Sequence, residues 1–217
     1  EVRDVGDDPK MRPGIVHRLD RDASGIMLAA RTQEAFDYLK SLFQKREIKK
    51  IYLALVHGEV KPGTGVIEKP VSIKRGTVKR TVHAGRAEKT AVTRYRAVRI
   101  IGSQESGVGR NQYSLLEVIP ETGRTHQIRV HLASIGHSVV GDKLYGSHKP
   151  QVISHKPLAR LMLHASSLEF LDRKGRKLML EAGLPADYEE VLRALEEGRS
   201  PSDLLRSGGN QGSKIKD

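Results

Sequence analysis

The chain has no cysteine and no tryptophan, and only 4% of its 217 residues are aromatic. Without cysteine there is no disulfide, no thiolate nucleophile and no Cys-ligated zinc. With so few aromatics, aliphatic side chains must supply most of the core. No apolar run approaches the length that spans a bilayer, and no signal-peptide pattern opens the chain, so a soluble, cytoplasmic protein is expected. The apolar share of 37% is low for a globular protein, yet 217 residues suffice for one large domain or two small ones.

What is present in excess is positive charge, a formal net of +12. A basic surface attracts polyanions, so nucleic acid is the first partner to consider, with a generic basic protein or a membrane-surface binder as rivals. Between Lys74 and Lys89 the cations Lys74, Arg75, Lys79, Arg80, Arg86 and Lys89 face Glu88 alone. Gly76 and Gly85 interrupt this stretch and it lacks helical periodicity, which favours a cationic hairpin or loop over an amphipathic membrane helix.

Periodicity gives a coarse map of the elements. Ile15, Val16 and Leu19 suggest a short buried strand that ends in a turn over Arg21–Gly25, and Ile26–Ala30 suggests a second strand. Thr32 is a good N-cap, Glu34 suits a first turn, and Phe36, Leu39 and Phe43 share a helical face that closes at Lys45-Arg46. Ile51–Val56 reads as a strand buried on both faces, Val60–Ile101 as β-structure, Gly102–Asn111 as a mobile loop and Tyr113–Ile119 as a strand. A helix is expected over Thr125–Ile135 with Gly136 as its C-cap. A hairpin is expected between Leu158–Phe170 and Lys177–Leu180, turning at Asp172–Gly175, and a last helix over Asp187–Glu197. Many strands with few helices and no regular βαβ alternation argue for an α+β fold with a mixed, largely antiparallel sheet.

Two segments are dense in reactive groups. Gly14-Ile15-Val16-His17-Arg18-Leu19-Asp20 sets a carboxylate where an apolar segment turns, although a lone Asp there more often caps its own backbone. Thr122–Leu132 carries Arg124, His126, Arg129 and His131 at a helix start, suited to meeting phosphate or holding a carboxylate. A solvated basic face or backbone-satisfied histidines are the plain alternatives. A metal site fits poorly, because His126 and His131 do not share a helix face and no HExxH pattern is present.

Taken together and in order, HRLD with a following SG, KKIYLALVHG, TGRTHQIRVHL, GDKLYG and RLMLHA resemble the RluA-type RNA pseudouridine synthases, from about Arg12 to about Leu195. The closing LPADYEEVLRAL is similar to that family's last helix. The resemblance implies catalytic roles for Asp20 as the essential aspartate, Tyr52 as the ring that stacks on uracil, and Arg129 as the partner of Asp20. It also implies that Arg18 displaces the target base and that Ile128 and Leu163 wall the pocket. Alone, Tyr52 would read as an ordinary strand aromatic and Arg18 as a surface phosphate contact. Two features depart from the pattern: Ala23 stands where Thr is usual, and the family's opening Lys-Pro strand is missing in a chain that begins without Met. A catalytic domain over residues 1–197, shortened at its N-terminus, is therefore expected, with a disordered tail over residues 198–217.

The implied reaction moves uracil from its N1–C1′ bond to a C5–C1′ bond and neither gains nor loses an atom, so no cofactor and no metal are expected. Asp20 would act as nucleophile or base towards the ribose. Lys74, Arg75, Lys79 and Arg80 would meet phosphates of the RNA partner, ribosomal or transfer RNA. A monomer without membrane contact is the expected form. Two rival classes stay open: an idle RNA-binding factor on the same fold, and a metal-dependent nuclease.

Overall fold

A computed structural model describes residues 5–8, 10–77, 79–102, 112–146 and 160–197. The expected tail over residues 198–217 and most of the expected loop before Tyr113 lie outside these residues. The described elements run β1 (Ser24–Gly25), α1 (Gln33–Lys45), β2 (Lys49–His57), β3 (Thr64–Glu68), β4 (Val71–Ile73), β5 (Arg80–Thr81), β6 (Arg86–Lys89) and β7 (Val92–Ile101). There follow β8 (Tyr113–Pro120), α2 (Gln127–Ser134), β9 (Leu163–Leu171), β10 (Lys177–Glu181) and α3 (Ala186–Glu196). The fold is α+β, with a mixed and mostly antiparallel main sheet.

Its centre is β2, whose Ala54, Leu55 and Val56 are fully buried, as an uninterrupted apolar run requires. β2 pairs antiparallel with β8 on one side and β9 on the other, and the sheet order is β1-β9-β2-β8-β7-β3. β1 and β10 share the outer edge of β9, β1 opposite His164–Ala165 and β10 opposite Ser167–Leu171. Ile128 and Leu132 of α2 and Tyr188, Val191, Leu192 and Leu195 of α3 pack with this sheet into the main core. α1 caps a second cluster through Leu42, against Leu168 and Phe170. A small separate sheet, β5-β4-β6, carries the cationic stretch as a hairpin and its neighbour.

α1 forms where local signals place it. Thr32 Oγ1 accepts the Ala35 N–H at 3.2 Å, Glu34 sits in the first turn and Lys45 in the last. Arg46 ends the helix in the left-handed region, and the next N–H, that of Glu47, returns to Leu42 O at 2.9 Å. The last hairpin also turns at Asp172–Gly175 as the sequence implies, with Asp172 Oδ1 accepting the N–H groups of Lys174 and Arg176.

Three expectations need correction. Ile15–Leu19 and Ile26–Ala30 are not strands: Ile15 and Ala29 form one isolated bridge, and the Leu28 N–H goes to His17 Nε2 at 2.8 Å instead of a neighbouring strand. The segment expected to be a turn contains β1, which pairs parallel with β9 through a contact far along the chain. α2 starts at Gln127 and not at Thr125, because His126 is left-handed (φ 56°) and breaks the helical path before it.

Gly25 makes β1 possible. Its φ is +121°, and a Cβ there would lie 2.2 Å from Ala165 O. Gly25→Ala should therefore destabilise the fold, with about 1–3 kcal/mol from backbone strain before the clash is added. Urea unfolding checks this, and an unchanged midpoint would mean that the two backbones do not approach so closely.

Candidate active site

Asp20 follows the irregular segment from Gly14, and a tight turn closes behind it where the Ala23 N–H donates to Asp20 O at 3.1 Å. It is the backbone carbonyl, not the side chain, that holds this turn. The carboxylate reaches across to α2, where Asp20 Oδ2 lies 3.4 Å from Arg129 Nη1. Its side chain is 15% exposed and lines a cleft of about 430 Å³, a size suited to a small ligand.

Arg129 is held more tightly from behind. Its Nε and Nη2 each donate at 2.8 Å to Asp142, to Oδ2 and Oδ1 respectively, a bidentate fork on a side chain with no solvent exposure. Asp142 also accepts the N–H groups of Leu144 at 2.8 Å and Tyr145 at 3.0 Å. The Tyr145 ring lies 5.2 Å from the guanidinium carbon. With two donors and the ring plane fixed, Nη1 is the part of the fork left for Asp20. Burial opposes the charge on Asp142, but the Arg129 bonds, its charge and the two backbone donors outweigh it and hold the carboxyl below its usual range. Burial likewise opposes Arg129, and Asp142 followed by Asp20 raises it above its ordinary value.

Around Asp20, the cleft is lined by Tyr52 from β2, Ile128 from α2, Leu163 from β9 and the exposed Arg18. Burial, then the Asp20 charge, push the Tyr52 hydroxyl up to about 12. The loop before α2 is fastened by Gln127. Its Nε2 donates to Val92 O and Thr93 Oγ1, while its Oε1 accepts from Thr122 Oγ1 and the Arg124 N–H. His126 faces the cleft and is bonded through Nδ1 to the Tyr145 hydroxyl at 2.9 Å. His131 is wholly buried and satisfied by Thr93 Oγ1 and Lys69 O, so these two histidines do not converge. Among the described residues, no group of three or more His, Asp or Glu is arranged to hold a metal ion.

The four basic positions Lys74, Arg75, Lys79 and Arg80 lie on the β4–β5 hairpin, outside the cleft lining. Lys74 and Arg75 are exposed, and Lys79 and Arg80 are half-buried. The Arg80 N–H donates to the Tyr145 hydroxyl at 2.9 Å, which ties the hairpin to the back of the site. Sequence pattern alone gives Asp142 and Tyr145, both in GDKLYG, no role. A carboxylate just after the apolar pair Val139-Val140 calls for a buried cation, and that is the signal that would have found it.

A family model described as RNA pseudouridylate synthase matches residues 5–134. A protein of Chloroflexus aurantiacus named an uncharacterized RNA pseudouridine synthase is 43% identical over 193 residues, covering 88% of this chain and 56% of its own. The ribosomal large subunit pseudouridine synthase D of Nitrosomonas europaea is 40% identical over 190 residues, covering 85% of this chain and 52% of its own. The chain thus spans about half the length of the curated relatives it matches. In fold it is similar to human RNA Pseudouridylate Synthase Domain Containing 1, with a TM-score of 0.70 at 24% identity, over 89% of this chain and 78% of that one.

Removing Arg129 would strand a buried carboxylate. Arg129→Ala should cost about 3–5 kcal/mol of stability at neutral pH. Because folding lowers the Asp142 value, its contribution is fully present above the ordinary 3.8 and disappears as the pH falls through the lower folded value. The gap between wild type and variant should therefore narrow in acid. Denaturant unfolding as a function of pH measures it, and a gap that stays constant down to acid pH would deny that Asp142 depends on this arginine.

Proposed function

The chain belongs to the RNA pseudouridine synthase family, and from that premise we propose that it isomerises uridine to pseudouridine in RNA. One observation carries the reading: a cleft holds a single carboxylate, Asp20, beside an arginine whose other donors are locked onto buried Asp142. Asp20 is the group that meets the ribose while the N1–C1′ bond breaks and C5–C1′ forms, the C5 proton passing finally to N1. The freed uracil needs a flat neighbour, and Tyr52 offers one. With its hydroxyl pushed up to about 12, it carries almost no phenolate at neutral pH, so it serves as a stacking face more than as a base. Ile128 and Leu163 form apolar walls, and Arg18, an exposed cation of the lining, fills the gap left when the base leaves its stack.

RNA is the partner in this reading, with Lys74, Arg75, Lys79 and Arg80 as phosphate contacts beyond the cleft. Ribosomal RNA is the first substrate to test, since two of the relatives carry a ribosomal large subunit name; transfer RNA is the second. The reading places the protein in the cytoplasm, with residues 1–197 acting as the catalytic domain. It needs neither cofactor nor metal, because the reaction is an internal exchange of one glycosidic bond for another.

Asp20→Asn keeps the size of the side chain and removes the anion. It should abolish isomerisation and leave RNA binding nearly intact, as measured by pseudouridine mapping and by binding to the same RNA. Substantial turnover by the variant would remove Asp20 from the mechanism. The basic hairpin separates binding from chemistry. Each phosphate neutralised on a single strand steepens the log–log salt dependence by about 0.7. Replacing Lys74, Arg75, Lys79 and Arg80 with Ser should weaken binding and flatten that slope while the rate at saturating RNA stays near wild type. An unchanged slope would put the RNA-binding face elsewhere.

A further inference from the structure

The cleft has more positive charge than the chemistry around Asp20 uses. Among the described residues its lining holds Arg18, Arg46, Lys50 and Arg124 against the single carboxylate of Asp20. Arg124 has a partner, Thr90 O, at 3.1 Å, and Arg18 and Arg46 are exposed to solvent. Lys50 differs from all three. It is half-buried on β2, and no hydrogen bond or ion pair joins its ammonium to another described residue. Burial, then the Arg46 charge, lower its value from the ordinary one. Its neighbour His17 cannot serve as a counter-ion: burial and Lys50 hold it neutral, its value lowered to about 4, with Nε2 occupied by the Leu28 N–H. A Cβ added to Gly123 would lie 4.0 Å from Lys50 Nζ, so the ammonium reaches the loop before α2 at a position that carries no side chain.

A half-buried ammonium that no described residue pairs, inside a cationic cleft, lacks one thing, an anion. We propose that Lys50 binds the phosphate group of the nucleotide whose base stacks on Tyr52. Lys50 and Tyr52 are alternate residues of one strand and both line the cleft, whereas Ile51 between them does not. Same-face neighbours on a strand are about 6.7 Å apart, within reach of a base and its own phosphate. Lys50 is thus a positioning residue: it fixes the phosphate, and through it the ribose, in front of Asp20. This assignment rests on the isomerase reading given above and adds to it the group that registers the substrate backbone.

The test uses uridine, uridine 5′-monophosphate, uridine 3′-monophosphate and inorganic phosphate as probes, followed by nitrogen NMR of the lysine side chains and by binding isotherms. In the wild type, at least one of the two monophosphates should shift the Lys50 resonance and bind more tightly than uridine or inorganic phosphate. Lys50→Met, which keeps the length and loses the charge, should weaken that nucleotide about tenfold, the effect of one charge-assisted hydrogen bond, and leave uridine unchanged. Lys50→Arg should restore most of the affinity, which a purely structural role would not predict. On substrate RNA, Lys50→Met should raise KM and alter kcat little. The proposal is overturned if both monophosphates bind no better than uridine, if inorganic phosphate binds as well as they do, or if Lys50→Met binds them like wild type. Because the binding readout needs no turnover, nucleotide binding through Lys50 by a chain that isomerises no uridine would sink the isomerase reading alone. An active isomerase indifferent to Lys50→Met would sink this one alone.

Discussion

One guanidinium shared between two carboxylates governs the site. Arg129 gives two short, parallel hydrogen bonds to Asp142, which solvent does not reach, and one longer contact of 3.4 Å to Asp20, which lines the cleft. The inequality is the useful part. A buried carboxylate is costly without a partner, so Asp142 and Arg129 hold each other firmly and define a fixed positive point. Asp20 then meets a cation that is aimed but already engaged. Its contact uses Oδ2 alone, so the carboxylate is oriented without being clamped by a second bidentate fork.

The rest of the fold brings three distant segments to that point. β2 runs through the middle of the sheet and presents Tyr52 and Lys50 into the cleft, while β9 beside it contributes Leu163. Gly25 lets the segment after Asp20 lie directly against β9, because no side chain stands between its backbone and Ala165. Gln127 binds the loop before α2 to β7, which fixes where α2 starts and so where Arg129 points. Each of these fastenings uses backbone or buried polar groups, and among the described residues no buried side-chain nitrogen or oxygen lacks a hydrogen-bond partner.

Whether an element was legible in the sequence followed the range of the interactions that make it. α1 could be read because Thr32, Glu34 and the apolar spacing from Phe36 act within a few residues of one another. β2 could be read because a strand covered on both faces leaves an unbroken apolar run. β1 could not, since it exists only through a parallel contact with His164 and Ala165, which no local pattern announces. The start of α2 was misplaced by two residues because the left-handed turn at His126 and the fastening of the loop by Gln127 leave no trace in the apolar spacing. In the site, Asp20, Tyr52 and Arg129 came from motif resemblance; residue chemistry alone would have left Asp20 as a turn cap and Tyr52 as core. Asp142 escaped because its meaning depends on burial, and only the short apolar Val139-Val140 pair before it points that way.

The electrostatics divide into a dry part and a wet part, and they carry different tasks. Behind the cleft, Arg129 and Asp142 are shielded from solvent, so salt screens their attraction little and the geometry they impose is constant. On the β4–β5 hairpin, Lys74 and Arg75 are exposed, so their pull on a polyanion is long-ranged, screened by salt and indifferent to sequence. Lys50 stands between the two regimes, partly desolvated yet open to the cleft. The two parts are also joined mechanically. The Arg80 N–H bonds to the Tyr145 hydroxyl, and Tyr145 packs on the guanidinium that faces Asp20. Tyr145 in turn bonds through its hydroxyl to His126, which lines the cleft, so the hairpin backbone is tied by two hydrogen bonds to a cleft residue and by ring packing to the guanidinium beside Asp20.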